Sequence, residues 1–338
     1  MKFLSFPGLG IGPFQINDTA FTLFGLDIKW YGIIITLGMI LAYLYARTRA
    51  KYEGIDDDDL YDVTLLSIVC GIVGARLYYV VFRLGDFIAK DGSAWDNIKN
   101  TFLNIINIRN GGLAIYGGII LGIFAAFIFA RIKKMHFPIL LDVAAPAIMI
   151  GQIIGRWGNF VNVEAYGRVT TLPWRMCSDT IANELFSKGL INLEAASQIR
   201  DGLLGVHPTF FYESMWNLIG LALVMIFYKK KRYNGQVFLF YVSWYGLGRF
   251  FIEGLRTDSL YIGSTSLRIS QLIGAAAFIV GVSLFFLLWK KTPEILKLAP
   301  VGDEAVTEES EEIAEDSAED DSENTEEAES ETEDGEAD

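Results

Sequence analysis

Four polar side chains, Arg156, Asn159, Asn162 and Glu164, crowd into nine residues of the stretch GRWGNFVNVEAYG at 155–167. They follow directly on an apolar run, PILLDVAAPAIMIGQIIG, that is long enough to span a membrane. An arginine at membrane depth costs about 2.5 kcal/mol or more, and a buried polar group is costly unless it is partnered. One fixed cation, two amides that both donate and accept, and one carboxylate together suit a ligand carrying a phosphate and hydroxyls. Glycines at 155, 158 and 167 let the backbone turn and approach closely. The plainer account is a helix end whose polar residues satisfy one another at the membrane surface.

Two further clusters have the same character. His207, Tyr212 and Glu213 open another apolar run, and Tyr245, Arg249, Glu253 and Arg256 follow at spacings of four, four and three, which would place them on one helical face. Arg249 and Glu253 could neutralise one another, and Arg156 and Arg256 would then leave positive charge over for a ligand. Tyr116 stands between Gly111-Gly112 and Gly117-Gly118, glycines that either pack helices together or admit a headgroup. The two histidines and two cysteines are scattered without ligand spacing, so no metal and no cofactor is expected. No serine lies in a nucleophile-elbow pattern. An enzyme built from these parts would take its nucleophile from a substrate.

The elements that must carry these residues are apolar spans. With 52% hydrophobic and 14% aromatic residues in 338, the chain is too apolar for an ordinary soluble domain. Residues 303–338 hold 20 of the 41 acidic residues and no Lys or Arg, which leaves a body of 28 basic and 21 acidic residues at +7. Seven runs of span length read off in order, at about 30–46, 63–82, 113–130, 138–155, 207–228, 237–252 and 269–289. Basic clusters RTRAK, RIKK, KKKR and KK follow the first, third, fifth and seventh, which puts the N-terminus outside, the C-terminus in the cytoplasm and the 155–167 motif at the outer face. The N-terminus shows no signal-peptide pattern, so insertion is expected to depend on the spans themselves.

The expected fold is thus an all-α polytopic membrane protein of seven transmembrane helices. Residues 1–29 form an interfacial segment. Residues 30–302 form the membrane domain, including a small outer-face lobe at 168–206 in which INLEAASQIRDG reads as a short amphipathic helix. Residues 303–338 are too charged to bury a core and read as a disordered acidic cytoplasmic tail.

The motifs resemble those of a known family. GRWGNFVNVEAYG at 155–167 is similar to the signature of the bacterial prolipoprotein diacylglyceryl transferases. WYG at 30–32, GARLYYVVF at 74–82, GGLAIYGG at 111–118, HPTFFYE at 207–213 and YGLGRFFIEGLR at 245–256 look like further family motifs in the same order. The resemblance covers roughly residues 25–290. It implies a seven-span bundle in the bacterial inner membrane. The activity it implies is transfer of the diacylglyceryl group of phosphatidylglycerol to the lipobox cysteine thiol of a prolipoprotein signal peptide, with release of glycerol 1-phosphate. The implied partners are that lipid, that peptide and the surrounding membrane, with no nucleic acid. By the same resemblance, Arg156 and Arg249 are the main cations on the phosphate. Asn159, Glu164 and Glu253 position the headgroup and the arginines, Tyr31 and Tyr245 line the site, and His207 supports its rim; Arg256, Gly117 and Gly118 join the expected lipid-binding set from the cluster and glycine readings above. Many family members carry His where this chain has Tyr116, so the proton acceptor is open. A transporter or binding protein for an anionic lipid is the competing reading, although no repeated halves or paired broken helices are visible. A receptor or scaffold would explain the acidic tail but not the arginines.

Overall fold

A computed structural model describes residues 2–89, 92–108, 111–259, 261, 265 and 267–291. The expected tail at 303–338 lies outside the described residues. The chain opens with two antiparallel hairpins, β1 (Lys2–Phe6) with β2 (Ile11–Ile16) and β3 (Thr19–Leu23) with β4 (Leu26–Lys29). Then come α1 (Trp30–Tyr52), α2 (Asp57–Phe82), α3 (Ala94–Ile106), α4 (Ile115–Ile132) and α5 (Phe137–Asn162). A short pair of strands, β5 (Val169–Thr170) and β6 (Gly205–Val206), brackets α6 (Asp179–Ser187) and α7 (Leu193–Arg200). Helices α8 (Thr209–Phe227), α9 (Gln236–Glu253) and α10 (Ile269–Lys291) complete the described chain.

Among the described residues, six helices, α1, α2, α4, α5, α8 and α10, are long and apolar enough to cross a membrane, so the chain is a polytopic α-helical membrane protein. Helix α9 matches α4 in length, at 18 residues, but Gln236, Arg249 and Glu253 make it less apolar than the six. It lies against α10, α5 and α8, and that enclosure lets it carry polar residues.

Local chemistry accounts for the helix ends. Asp56 caps α2 by accepting from the Asp58 N–H, and Asp57, Asp58 and Asp59 sit where the helix dipole favours negative charge. Ser93, Ser178 and Asn192 cap α3, α6 and α7 in the same way. Within the bundle, α2 and α4 meet at glycines: a Cβ on Gly117 would lie 2.3 Å from the Gly74 carbonyl oxygen, and one on Gly118 would lie 3.1 Å from that of Gly71. Helices α8 and α9 are clasped by a reciprocal indole pair, Trp216 Nε1 donating to the Trp244 carbonyl and Trp244 Nε1 to that of Trp216, both at 2.8 Å. The two rings stack at 4.5 Å.

Two sequence expectations need correction, while the stretch before α1, read only as an interfacial segment, pairs into two hairpins. The polar loop expected after the second span contains α3, whose Trp95, Ile98, Phe102 and Ile106 form an exposed apolar stripe opposite its asparagines. Helix α5 does not stop near Gly155 but continues to Asn162, so Arg156 and Asn159 stand on its last turns. The lobe itself has a core of Leu4, Met176, Ile181, Leu185, Ile199 and Val206, each no more than 1% exposed. Strand β1 enters that core through a bridge of Ser5 to Cys177, and burial pushes the Cys177 thiol up to about 11.

Candidate active site

Successive long helices alternate in direction, so the N-termini of α1, α4, α8 and α10 meet the C-termini of α2, α5 and α9 at one end of the bundle. Contacts fix this arrangement. Tyr31 packs on Gly158, where a Cβ would lie 2.8 Å from the phenol ring, and Gln271 Nε2 donates to the Phe250 carbonyl at 3.0 Å.

At the centre of that end is Glu213, 3% exposed, on the first turns of α8. Its Oε2 pairs with Arg156 of α5, while its Oε1 accepts from Arg249 Nη1 of α9 at 3.1 Å and faces Arg256 Nη1 at 3.4 Å. Three arginines therefore converge on one carboxylate. Arg249 Nη2 also donates to Glu253 Oε2 at 2.5 Å, and Arg256 grips Asp258 with two bonds, of 2.9 and 2.7 Å. Burial works against charge on both members of the Arg256–Asp258 pair, but the bidentate bond outweighs it: the Asp258 carboxyl is held below the usual range and Arg256 above it. The expectation that Arg156 and Arg256 carry surplus charge is overturned, because Glu213 and Asp258 supply countercharge to both.

The 155–167 motif folds around its own carboxylate. Asn159 Nδ2 and Asn162 Nδ2 both donate to Glu164 Oε1, at 2.9 and 3.1 Å, and Arg156 Nη1 reaches Asn159 Oδ1 at 3.4 Å. Val163 and Ala165 adopt left-handed φ of 55° and 57°, which turns the chain off the helix. The motif then zips to the segment after α9, with Gly167 bridged to Arg256 and the Arg168 N–H donating to the Leu255 carbonyl at 2.7 Å. Arg256 lies beyond the end of α9, so this pairing, and not the expected helical face, brings it to Glu213. Gly167 must be bare: a Cβ there would lie 2.7 Å from His207 Cβ.

The remaining expected residues fall at or near this end. His207 sits where the lobe joins α8, its Nδ1 3.2 Å from the Tyr212 hydroxyl and its pKa lowered by burial. Tyr245 stacks on Tyr241 one turn below Arg249. Tyr116 opens α4 and directs its hydroxyl across to Ser270 Oγ of α10 at 3.4 Å. Gly117 and Gly118 are used for packing, since α2 covers both, and the idea that they admit a headgroup gives way to that contact. Sequence reasoning placed Glu213 in a cluster without giving it a role, and missed Asp258 and Ser270. A carboxylate in the first turns of an otherwise apolar helix was the available signal for Glu213; nothing local distinguished Asp258 or Ser270.

The fold and this end of it define a class: a polytopic helical membrane protein with a buried arginine–carboxylate network where its helices meet a small lobe. Comparison with known proteins makes the class specific. The sequence model described as "Prolipoprotein diacylglyceryl transferase" matches residues 18–287. Relatives named phosphatidylglycerol--prolipoprotein diacylglyceryl transferase include one from Finegoldia magna, 45% identical over 270 residues that make up 80% of this chain and 94% of the relative. Others come from Clostridium kluyveri, 42% identical over 81% of this chain and 97% of the relative, and Clostridioides difficile, 41% identical over 82% and 97%. The chain belongs to the prolipoprotein diacylglyceryl transferase family.

Proposed function

We propose that this chain transfers the diacylglyceryl group of phosphatidylglycerol to a prolipoprotein, and that the acceptor is the lipobox cysteine thiol of the signal peptide. The observation that carries the proposal is the convergence of Arg156, Arg249 and Arg256 on Glu213 within a chain of this family. In the reaction, the thiol sulfur bonds to the glyceryl carbon that bears the phosphate ester. The bond from that carbon to the ester oxygen breaks, and the oxygen leaves with the phosphate as glycerol 1-phosphate. The thiol, of ordinary pKa about 8.5, gives up its proton as the thioether forms.

The chain's residues supply electrostatics and placement. Among the described partners, Arg156 and Arg249 each use two of their five N–H donors, so both guanidinium forks have donors left for phosphate oxygens. Because Glu213 and Glu253 already hold these forks in place, little reorganisation is needed when charge develops on the leaving phosphate. Asn159 and Glu164 orient Arg156 and offer polar groups to the glycerol hydroxyls, Tyr31 and Tyr245 line the site, and His207 braces the rim. Tyr116, whose hydroxyl reaches Ser270, acts as a hydrogen-bonding group that places headgroup or thiol.

Topology completes the reading. Helix α9 is the seventh span, long enough at about 27 Å and shielded by its neighbours. The basic residues in the last turns of α1 and those that follow α4 and α8 lie at the end away from the site, where Lys231 bonds Glu53 at 2.7 Å and Lys133 bonds Asp59 at 2.7 Å. That end faces the cytoplasm, and the site and lobe face outward across the bacterial inner membrane. The direct test uses membranes containing this chain, phosphatidylglycerol labelled in its glycerol backbone, and a lipobox peptide. Label is expected on the peptide's cysteine with release of glycerol 1-phosphate. No transfer with a native prolipoprotein sequence, at verified protein level, would refute the reading.

A further inference from the structure

Arg76 lies in the second half of α2, is 8% exposed and faces no carboxylate among the described residues. A buried guanidinium without a counter-ion must satisfy its donors in another way. It does so completely. Nε donates to the Ile105 carbonyl at 2.6 Å, Nη1 to those of Gly111 and Gly112 at 2.9 Å each, and Nη2 to those of Asn104 and Asn107 at 2.8 Å each. Five donors meet five main-chain acceptors, and the Phe87 ring lies 4.8 Å from Cζ. No donor is left to bind a ligand.

The acceptors show what the arrangement achieves. Residues 104, 105 and 107 belong to the last turn of α3 and its C-cap, where helix carbonyls lack partners and the dipole favours a cation. Gly111 and Gly112 precede α4 with φ of 82° and 79°, and a Cβ on Gly112 would lie 2.5 Å from Arg76 Nη1. The next contact along the chain is Ala114 N–H to the Ala75 carbonyl at 3.0 Å, and two residues later Tyr116 reaches Ser270. Helix α10 in turn packs beside the site, where a Cβ on Gly274 would lie 3.3 Å from Arg249 Cβ. A single side chain thus gathers the end of α3 and the lead into α4 just before the residue that crosses to α10.

We propose that Arg76 is a positioning residue for the transfer reaction: by binding the end of α3 and the residues before α4, it sets Tyr116 against Ser270 beside Arg249. The proposal rests on the placing role given to Tyr116 above. Lysine would keep the charge but could not reach carbonyls in several directions from one ammonium.

The test combines kinetics of the full-length chain in phosphatidylglycerol membranes with a cross-link that ignores chemistry. Arg76→Lys is expected to lower kcat about tenfold or more with KM for phosphatidylglycerol within about twofold, and the Arg76→Lys/Tyr116→Phe double variant should be no worse than the poorer single one. Losses that multiply, a KM rise with kcat kept, or full activity of Arg76→Lys would each overturn the proposal. Tyr116→Cys with Ser270→Cys, in a background lacking Cys70 and Cys177, should be joined by a bifunctional thiol reagent long enough to replace the lost phenol ring, in a yield that drops when Arg76→Lys is added. If Tyr116→Phe alone proves fully active, the role given to Tyr116 fails, and the cross-link decides the placement: an unchanged yield overturns it, a reduced yield supports it. Should Arg76→Lys not insert, Gly112→Ala, which crowds Nη1, must give the same loss of yield.

Discussion

Glu213 offers two carboxylate oxygens to three guanidinium groups, so its removal affects all three at once. Breaking a buried pair by removing one partner costs about 3 to 5 kcal/mol. Glu213→Gln keeps the shape but not the charge. It is expected to lower transfer by about 100-fold or more in membranes at matched protein level. Retention of a tenth of wild-type activity or better would show that the arginines do not depend on this carboxylate. His207 gives a second, pH-dependent expectation. Burial lowers its pKa, so the folded chain holds it neutral while the unfolded chain takes up a proton below about pH 6.5. The stability contributed by the neutral ring is fully present above that pH and is lost as pH falls toward the folded value. Thermal unfolding in detergent should therefore fall off on acidification, and His207→Gln, removing a ring whose Nδ1 faces Tyr212, should flatten that part of the slope. Identical slopes in both proteins would remove His207 from the account.

At the level of elements, the α8–α9 clasp makes a sharp packing prediction. A Cβ on Gly248 would lie 2.4 Å from Trp216 Nε1, and one on Gly220 would lie 2.4 Å from Trp244 Nε1. Gly248→Ala should destabilise the protein by about 1 to 3 kcal/mol, the usual range for overpacking, seen as a lower midpoint of thermal unfolding. An unchanged midpoint would mean that the two helices separate freely at this level. Elements also show what could be read from sequence and what could not. The long spans were legible because apolar length is a local property, and α9 was read with them as an apolar run at 237–252 despite its polar residues. Helix α3 was not, because Asp96, Asn97, Asn100 and Asn104 break up a short apolar stripe and read as a loop. The N-terminal hairpins were hidden by their Gly and Pro content. At the site, Arg156 and Arg249 stood out as charges beside apolar runs, whereas the countercharge on Asp258 became visible only once the chain after α9 was paired with Gly167. Pairing across nearly ninety residues leaves no local pattern.

For the whole molecule, orientation is the decisive quantity, since the proposed acceptor peptide can be met only if the site lies at the proposed outer face. Ser197 is exposed on α7 of the lobe. Ser197→Cys, with Cys70→Ala and Cys177→Ser, should react with a membrane-impermeant maleimide added to intact cells. Labelling only after the cytoplasm is opened would invert the topology. The clasp that joins α8 to α9 has an optical consequence as well. Two indoles stacked at 4.5 Å with their planes 19° apart are close enough for their electronic transitions to couple, giving paired circular-dichroism bands of opposite sign. Trp216 stands on the helix of Glu213 and Trp244 on that of Arg249, so this signal comes from the two helices that hold the arginine network together. Their spacing could be followed in unlabelled protein while lipid and peptide are added.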